Sequence, residues 1–465
     1  MKRARIMQTS SDPTRALGFW GCTALVVGNT IGIGIFVMPA ALAPYGLNAL
    51  TAWLITVLGC VFLAIVFAGL ARAFPLDEGP YAYTQRAFGK GVAFTVLWCY
   101  WVATWITNAA IAIGVVGYLS IFVPALNSNP WLPPLVGLSL VWLFVLINLR
   151  GVRVVAWMQV LTTVLKLLPQ LGIILLGLRQ LVIDPSAYLA HVPPNPAAVS
   201  EVLRASTIAL FAMLGIECAM IPADRVRDPA RTIPRATLTG TLLVALIYIC
   251  ISVVPMLLIP QPELIASNAP FADLFSRLLG SGYGRWVAAF VIISGLGALN
   301  GWTLILGQVT QSLAKHGSFP AALGKVNRHA APARAFVLTG AAASLMLLMN
   351  YNQSMAGTFT FLIVVVTAAN LPLYLACSLA VLVLWRRGEI VRPGSRELTW
   401  LAAAVLASAY CIGVFIGVGT RSLLWAIALG AAGVPVHLWS VYRRRRAKGS
   451  SDSTERYSMV IRDER

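Results

Sequence analysis

The chain has 465 residues, 58% of them apolar and 11% charged, with a mean hydropathy of +0.80, against roughly 45–50% apolar and about 25% charged in an ordinary soluble domain. Apolar stretches of the roughly 20 residues needed to cross a bilayer recur from Phe19 to Tyr442, which excludes a soluble enzyme, a secreted domain and a DNA-binding module. The formal charge of +19 sits in interspan loops and tails with no nucleic-acid recognition motif, so the basic residues describe topology.

Lys2, Arg3, Arg5 and Arg15 precede an apolar run reaching Met38, as in a secretory signal. The run exceeds the roughly 7–15-residue signal core and many spans follow it, so the N-terminus is expected to stay attached. Apolar runs between breakers predict twelve helices: 19–43, 47–73, 90–122, 132–149, 154–180, 200–222, 235–259, 285–314, 334–350, 356–386, 398–417 and 421–442. An even number puts both termini on one side. On this map 29 Lys and Arg fall on the terminal side and 5 on the other, with Lys166 inside a span, so both termini are expected in the cytoplasm. The expected division is an N-terminal tail over 1–18, a transmembrane domain over 19–442 and a basic tail over 443–465. Short loops and the lack of a long extension point to a bacterial inner membrane.

The first and second sets of five spans each open with a glycine-interrupted span and have a long third span. Five is odd, so the second copy enters from the opposite side. The expected fold is an all-α membrane protein with a 5+5 inverted repeat (19–180 and 200–386), discontinuous first and sixth helices, and two extra helices over 398–442.

Seven cysteines lie in apolar segments without a CxxC pair, and the four histidines make no ligand spacing. No metal or cofactor is implied. HExxH, nucleophile-elbow and channel-filter patterns are also lacking, so the chain is not expected to be an enzyme or a channel.

Three places carry chemistry. In Gly28-Asn29-Thr30-Ile31-Gly32-Ile33-Gly34-Ile35-Phe36 the glycines allow the first span to unwind, and a half-helix start there suits a carboxylate. The same Gly28-x-x-x-Gly32 spacing also serves as a helix-packing face. In the sixth span Glu217 follows Gly215 at membrane depth, where ionisable groups mark substrate or proton pathways, although Asp224 close by also fits an interfacial position. Lys166, midway through the fifth span, cannot snorkel easily to either surface. Tyr100, Trp101, Trp105, Phe211 and Trp302 offer aromatic faces to a substrate or its cation. Asn108 either bonds substrate or ties helices.

Gly28-Asn29-x-x-Gly32-x-Gly34-Ile35-Phe36, Tyr81-Ala82-Tyr83 before Phe88-Gly89, Gly215-Ile216-Glu217, Asp228-Pro229 with Arg231-Thr232-Ile233-Pro234, and Gly301-Trp302-Thr303 together resemble the amino acid–polyamine–organocation superfamily. The resemblance is greatest to its basic amino acid and polyamine exchangers, which include arginine/agmatine antiporters. It implies a twelve-span LeuT-like fold, alternating access and an amino acid or polyamine substrate, with protons and a homodimer as further partners. Ile31, Gly32, Ile33 and Gly34 would then meet the carboxylate and Leu214 the amino group. Ala103, Thr104 and Asn108 would line the side-chain pocket with Phe211 and Trp302. Glu217 would couple occupancy to gating or protons, and Tyr100 and Trp302 would belong to gates.

Ile33, Phe211 and Ala212 replace a serine, a tryptophan and a serine of the arginine/agmatine exchangers. Glu78 replaces a loop glycine. Lys166, seven residues after Gln159, is similar to a lysine that fills a sodium position in sodium-independent relatives. A proton-coupled permease for neutral amino acids, favoured by Ile33, Ala212 and Lys166, is therefore the alternative, with a non-transporting amino acid sensor more distant.

Overall fold

The computed structural model describes residues 18–74, 79–150, 162, 165–191, 197–218, 226–315, 317–329, 331–349, 354–390, 395–440 and 442. Glu78, Gln159, Asp224 and both tails beyond 17 and 443 lie outside the described residues. All regular elements among the described residues are helical.

The first apolar run is two helices, α1 (Phe19–Thr30) and α2 (Gly34–Leu42), bent by 43° across Ile31-Gly32-Ile33. They are followed by α3 (Leu47–Ala73), α4 (Gly79–Phe88), α5 (Lys90–Leu119), α6 (Leu132–Asn148), α7 (Leu167–Ile183), α8 (Val199–Ala212), α9 (Pro229–Leu258), α10 (Pro270–Leu279), α11 (Ser281–Lys315), α12 (Ala333–Leu348), α13 (Met355–Arg386), α14 (Ser395–Gly417) and α15 (Thr420–Ala431). Among the described residues, seven helical segments are long and apolar enough to cross a membrane, or eight when the bent pair counts as one span. Helices α6, α7 and α12 are apolar but only 17, 17 and 16 residues long.

Of the boundaries that differ from expectation, two have clear reasons. The seventh span begins at Pro229, six residues early: Pro229 fits the first helical turn, where no N–H is needed, and Asp228 precedes it at φ +45°. The sixth ends as a helix at Ala212 and passes into turns over Met213–Cys218. Helices α4 and α10 are amphipathic, too polar for a span-length apolar window to reveal.

Packing is organised around α5, which is apolar on every side and buried almost throughout, against α11 and α13. Glycines bring the neighbours close. A Cβ at Gly59 or Gly69 would lie 2.4 Å from Tyr410 or 2.1 Å from Trp400, so both aromatic rings of α14 seat directly on α3. At one end, the Arg86 guanidinium of α4 lies 2.6 Å from the Glu389 carboxylate just past α13 and 4.4 Å from the Phe74 ring centre. Arg387 donates to the Arg86 carbonyl at 3.2 Å. Because the ion pair is partly exposed it contributes only about 0.2–1 kcal/mol, so Glu389→Gln should lower thermal stability by no more than that.

Helix α10 covers the opposite end. Its Phe271 ring meets Phe36 of α2 edge-on at 5.3 Å, and Tyr118 Oη donates to the Phe36 carbonyl at 2.7 Å. Burial holds the Asp273 carboxyl above its usual range, against the lowering effect of a hydrogen bond from Ser267, while nearby Glu263 adds to the rise. The packed helix is therefore favoured with Asp273 protonated, and that contribution is lost as pH rises through the raised value. Asp273→Asn should flatten the pH dependence of hydrogen exchange in α10 once intrinsic rates are corrected; an unchanged profile would clear Asp273 of this role.

Candidate functional site

Breaking α1 from α2 frees backbone carbonyls in a buried, apolar setting, where an unpaired acceptor costs about 1–3 kcal/mol. Side chains from elsewhere in the fold pair three of them. Lys166 Nζ donates to the Gly28 and Ile31 carbonyls, the latter at 2.8 Å, and Tyr248 Oη donates to the Thr30 carbonyl at 2.9 Å. Lys166 is 1% exposed and sits just before α7, its own N–H bonded to the Thr162 carbonyl. Gly297 of α11 admits this approach, because a Cβ there would fall 2.2 Å from Thr162 Oγ1.

The end of α8 meets the same break. Gly215 has φ +109°, and a Cβ on it would lie 3.1 Å from the Asn29 carbonyl carbon and the Thr30 nitrogen. The left-handed backbone and the close approach thus both require glycine. Two residues on, Glu217 is 1% exposed and accepts from three donors: Tyr374 Oη at 2.7 Å, Tyr100 Oη at 3.1 Å and the Gly215 N–H at 3.2 Å. Glu217 thus lies in a buried polar cage at the turn.

Between the two breaks is a small cavity of about 20 Å³, lined by Asn29, Thr30, Gly32, Ile33, Gly34, Thr107, Ile111, Phe211, Ala212, Leu214 and Trp302. Of the residues singled out in the sequence, Gly32, Ile33, Gly34, Phe211, Leu214 and Trp302 meet in this wall. Ile31 is buried behind it, its carbonyl on Lys166. Ala103, Thr104 and Asn108 of α5 do not line it: Thr104 Oγ1 donates to the Tyr100 carbonyl at 2.7 Å, and Asn108 Nδ2 to Thr303 Oγ1 at 3.4 Å. The α5 face on the cavity is instead Thr107 and Ile111, four residues apart on one side of the helix. Tyr100, Lys166 and Glu217 stand outside the wall.

Thr107, Ile111, Tyr248 and Tyr374 were not found from sequence. Thr107 and Ile111 share a side of α5 with Thr104 and Asn108 and needed the height of α5 relative to its neighbours, and the tyrosines are ordinary span residues until folding brings them to Thr30 and Glu217.

Among the described residues no cluster of His, Cys, Asp or Glu could hold a metal. What the site offers is polar backbone at α2's first turn and apolar walls. Phe211 packs edge-on to Phe359 at 6.0 Å and fills the space beside Gly34, where a Cβ would lie 2.8 Å from the Phe211 ring. Gly34→Val should push Phe211 into Phe359 and lower uptake at sub-saturating substrate about tenfold, read in proteoliposomes; wild-type uptake would exclude this wall from the substrate path.

The amino acid permease family pattern matches residues 17–431, and the chain belongs to that family. The protein is thus an integral membrane protein of a transporter family. It is 30% identical to the cadaverine/lysine antiporter of Escherichia coli (strain K12), over 88% of this chain and 91% of the relative. It is 32% identical to the putative arginine/ornithine antiporter of Bacillus subtilis (strain 168), over 89% and 93%. With the putrescine transporter PotE of Haemophilus influenzae the identity is 30% over 93% and 97%.

Proposed function

We propose that the protein is a secondary antiporter that exchanges a basic amino acid for a decarboxylated amine by alternating access. The observation that carries this reading is the meeting of two interrupted helices at one cavity, with Lys166 bound to the carbonyls of the first break and Glu217 caged beside the second. The three relatives, named for lysine and cadaverine, arginine and ornithine, and putrescine, support the substrate class.

In this reading the chain crosses a bacterial inner membrane twelve times as two inverted repeats plus two helices, with both termini cytoplasmic and a homodimer as its assembly. The α-carboxylate meets the Ile31–Gly34 segment, where the α2 amides and helix dipole favour an anion. The α-amino group meets carbonyls near Leu214, and the side chain lies along Thr107, Ile111 and Trp302. Ala103, Thr104 and Asn108 lie beside that wall on the same side of α5. Lys166 holds the first break as a fixed internal cation, and Glu217 with Tyr100 and Tyr374 forms the inner closure, which opens when protonation or substrate weakens the tyrosine bonds.

A second reading, a proton-coupled neutral amino acid permease, is favoured by the apolar wall of Ile33, Ile111, Phe211, Ala212 and Leu214. Counterflow decides between them. Liposomes loaded with unlabelled lysine, cadaverine, arginine, ornithine, putrescine, leucine or alanine are offered the matching labelled compound. Accumulation of the cationic compounds is expected; accumulation of only leucine or alanine would establish the second reading, and none at all would overturn both.

A further inference from the structure

The side chains of Asn29, Thr30, Thr107 and Trp302 bring polar atoms to the wall of the cavity between the two breaks. Its two threonines are in opposite states. Thr107 Oγ1 donates to the Ala103 carbonyl one turn back at 2.8 Å, the way a helical threonine commonly satisfies its hydroxyl, as Thr23, Thr303 and Thr310 also do. Thr30, the last residue of α1, is 5% exposed, and its Oγ1 is buried with no hydrogen-bond partner. A hydroxyl kept from water and left unpaired is unfavourable. Other buried hydroxyls without a partner, such as those of Thr237 and Thr241 in α9, do not belong to this wall.

The neighbours of Thr30 fix where its hydroxyl lies. Tyr248 Oη donates to the Thr30 carbonyl at 2.9 Å, and Tyr248 is itself fully buried, edge-on to Trp53 at 6.0 Å. The backbone of Gly215 approaches so closely that an added Cβ would lie 3.1 Å from the Thr30 nitrogen and 3.2 Å from Thr30 Oγ1. The hydroxyl therefore sits where the two breaks meet, against the residue that follows Leu214 of the same wall.

We propose that the Thr30 hydroxyl helps to select the substrate: it accepts a hydrogen bond from a primary ammonium group and favours the decarboxylated amine over the amino acid. The inference rests on the cationic exchange reading. Both exchange partners carry such a group, and an ammonium has three N–H donors to place. In the amino acid the neighbouring α-carboxylate offsets the charge of the α-amino group, and the first turn of α2 holds that carboxylate. In the diamine the carboxylate is gone and the end is a bare cation, whose hydrogen bond to a neutral oxygen is the stronger for its full charge. Thr30 thus contributes more to the amine. In the conformation seen the cavity of about 20 Å³ has room for roughly one water, so the contact forms as the walls part to admit the substrate.

Counterflow in proteoliposomes tests this with two probe pairs, lysine with cadaverine and ornithine with putrescine. Thr30→Val keeps the branched shape without the hydroxyl, Thr30→Ala removes the hydroxyl with less bulk, and Thr30→Ser retains it. In the valine and alanine variants KM for the diamine should rise about tenfold and KM for the amino acid about threefold. Maximal rates should hold, because the lost contact is made in the bound state and the transition state alike. Thr30→Ser should stay within about twofold of the wild type for both compounds. An unchanged ratio of the two KM values in the valine and alanine variants, or a serine variant as impaired as they are, would overturn the role of the hydroxyl while leaving exchange intact. Loss of maximal rate with both KM values unchanged would overturn it too, and would make Thr30 a residue of the break's shape. Absence of wild-type counterflow for every cationic compound would instead overturn the exchange reading.

Discussion

Replacement of Lys166 by alanine is expected to reduce exchange at least about a hundredfold while the protein remains folded. The ammonium donates to the carbonyls of Gly28 and Ile31, on either side of the turn that separates α1 from α2. Losing it leaves two buried acceptors unpaired, at about 1–3 kcal/mol each, and a total near 3 kcal/mol is about a hundredfold in a rate or population. The cost falls on the arrangement of the break more than on the fold, because removing a buried cation also relieves the expense of keeping it out of water. Thermal unfolding should therefore shift modestly and counterflow greatly. Lys166→Met, which keeps much of the stem and no donor, should behave like alanine. Full activity in either variant would reduce Lys166 to a packing residue.

Glu217→Gln carries the second large effect. The carboxylate oxygens accept from two tyrosine hydroxyls and one backbone amide. Glutamine supplies one oxygen and an NH2, and that NH2 turned toward either hydroxyl sets donor against donor unless the hydroxyl reorients. Loss of one hydrogen bond to a charged group corresponds to about 1.5–3 kcal/mol, or roughly 10- to 150-fold. Exchange should fall by that factor, and the remaining rate should be flat between about pH 5 and 8 because the titrating group is gone. Tyr374→Phe should retain the pH dependence with a smaller loss, since it removes one donor and leaves the acid. A Glu217→Gln variant with wild-type rate and pH profile would take Glu217 out of the mechanism.

The two variants separate roles that lie close together. Lys166 acts on the break of the first span from behind, through backbone carbonyls, and reaches the cavity only through the geometry it maintains. Glu217 sits where α8 gives way to turns, and its partners come from α5 and α13. A substrate that moved the cavity wall at Thr30 would be felt at Gly215, which touches the Asn29–Thr30 backbone. This contact gives a physical route between the two breaks, and Gly215→Ala should impair exchange through it by straining the positive φ.

By itself the sequence determined that the chain is helical and lies in a membrane, because hydrophobic runs of span length leave the backbone no other way to satisfy its polar groups. It also determined where the first span breaks, since Gly32 and Gly34 remove the side chains that stabilise a helix locally, and it marked Lys166 and Glu217 as charges too costly to bury without a use. The tertiary structure alone decided what those charges touch. Lys166 meets carbonyls 135 and 138 residues away in sequence, and Glu217 a tyrosine 157 residues away, separations that no local pattern encodes. It also decided at which level of α5 the cavity opens. Ala103, Thr104, Thr107, Asn108 and Ile111 lie along one side of that helix, and in a helix buried on all sides the hydrophobic pattern marks no height, so Thr107 and Ile111 could not be told from the other three until α11 and α13 were packed against it.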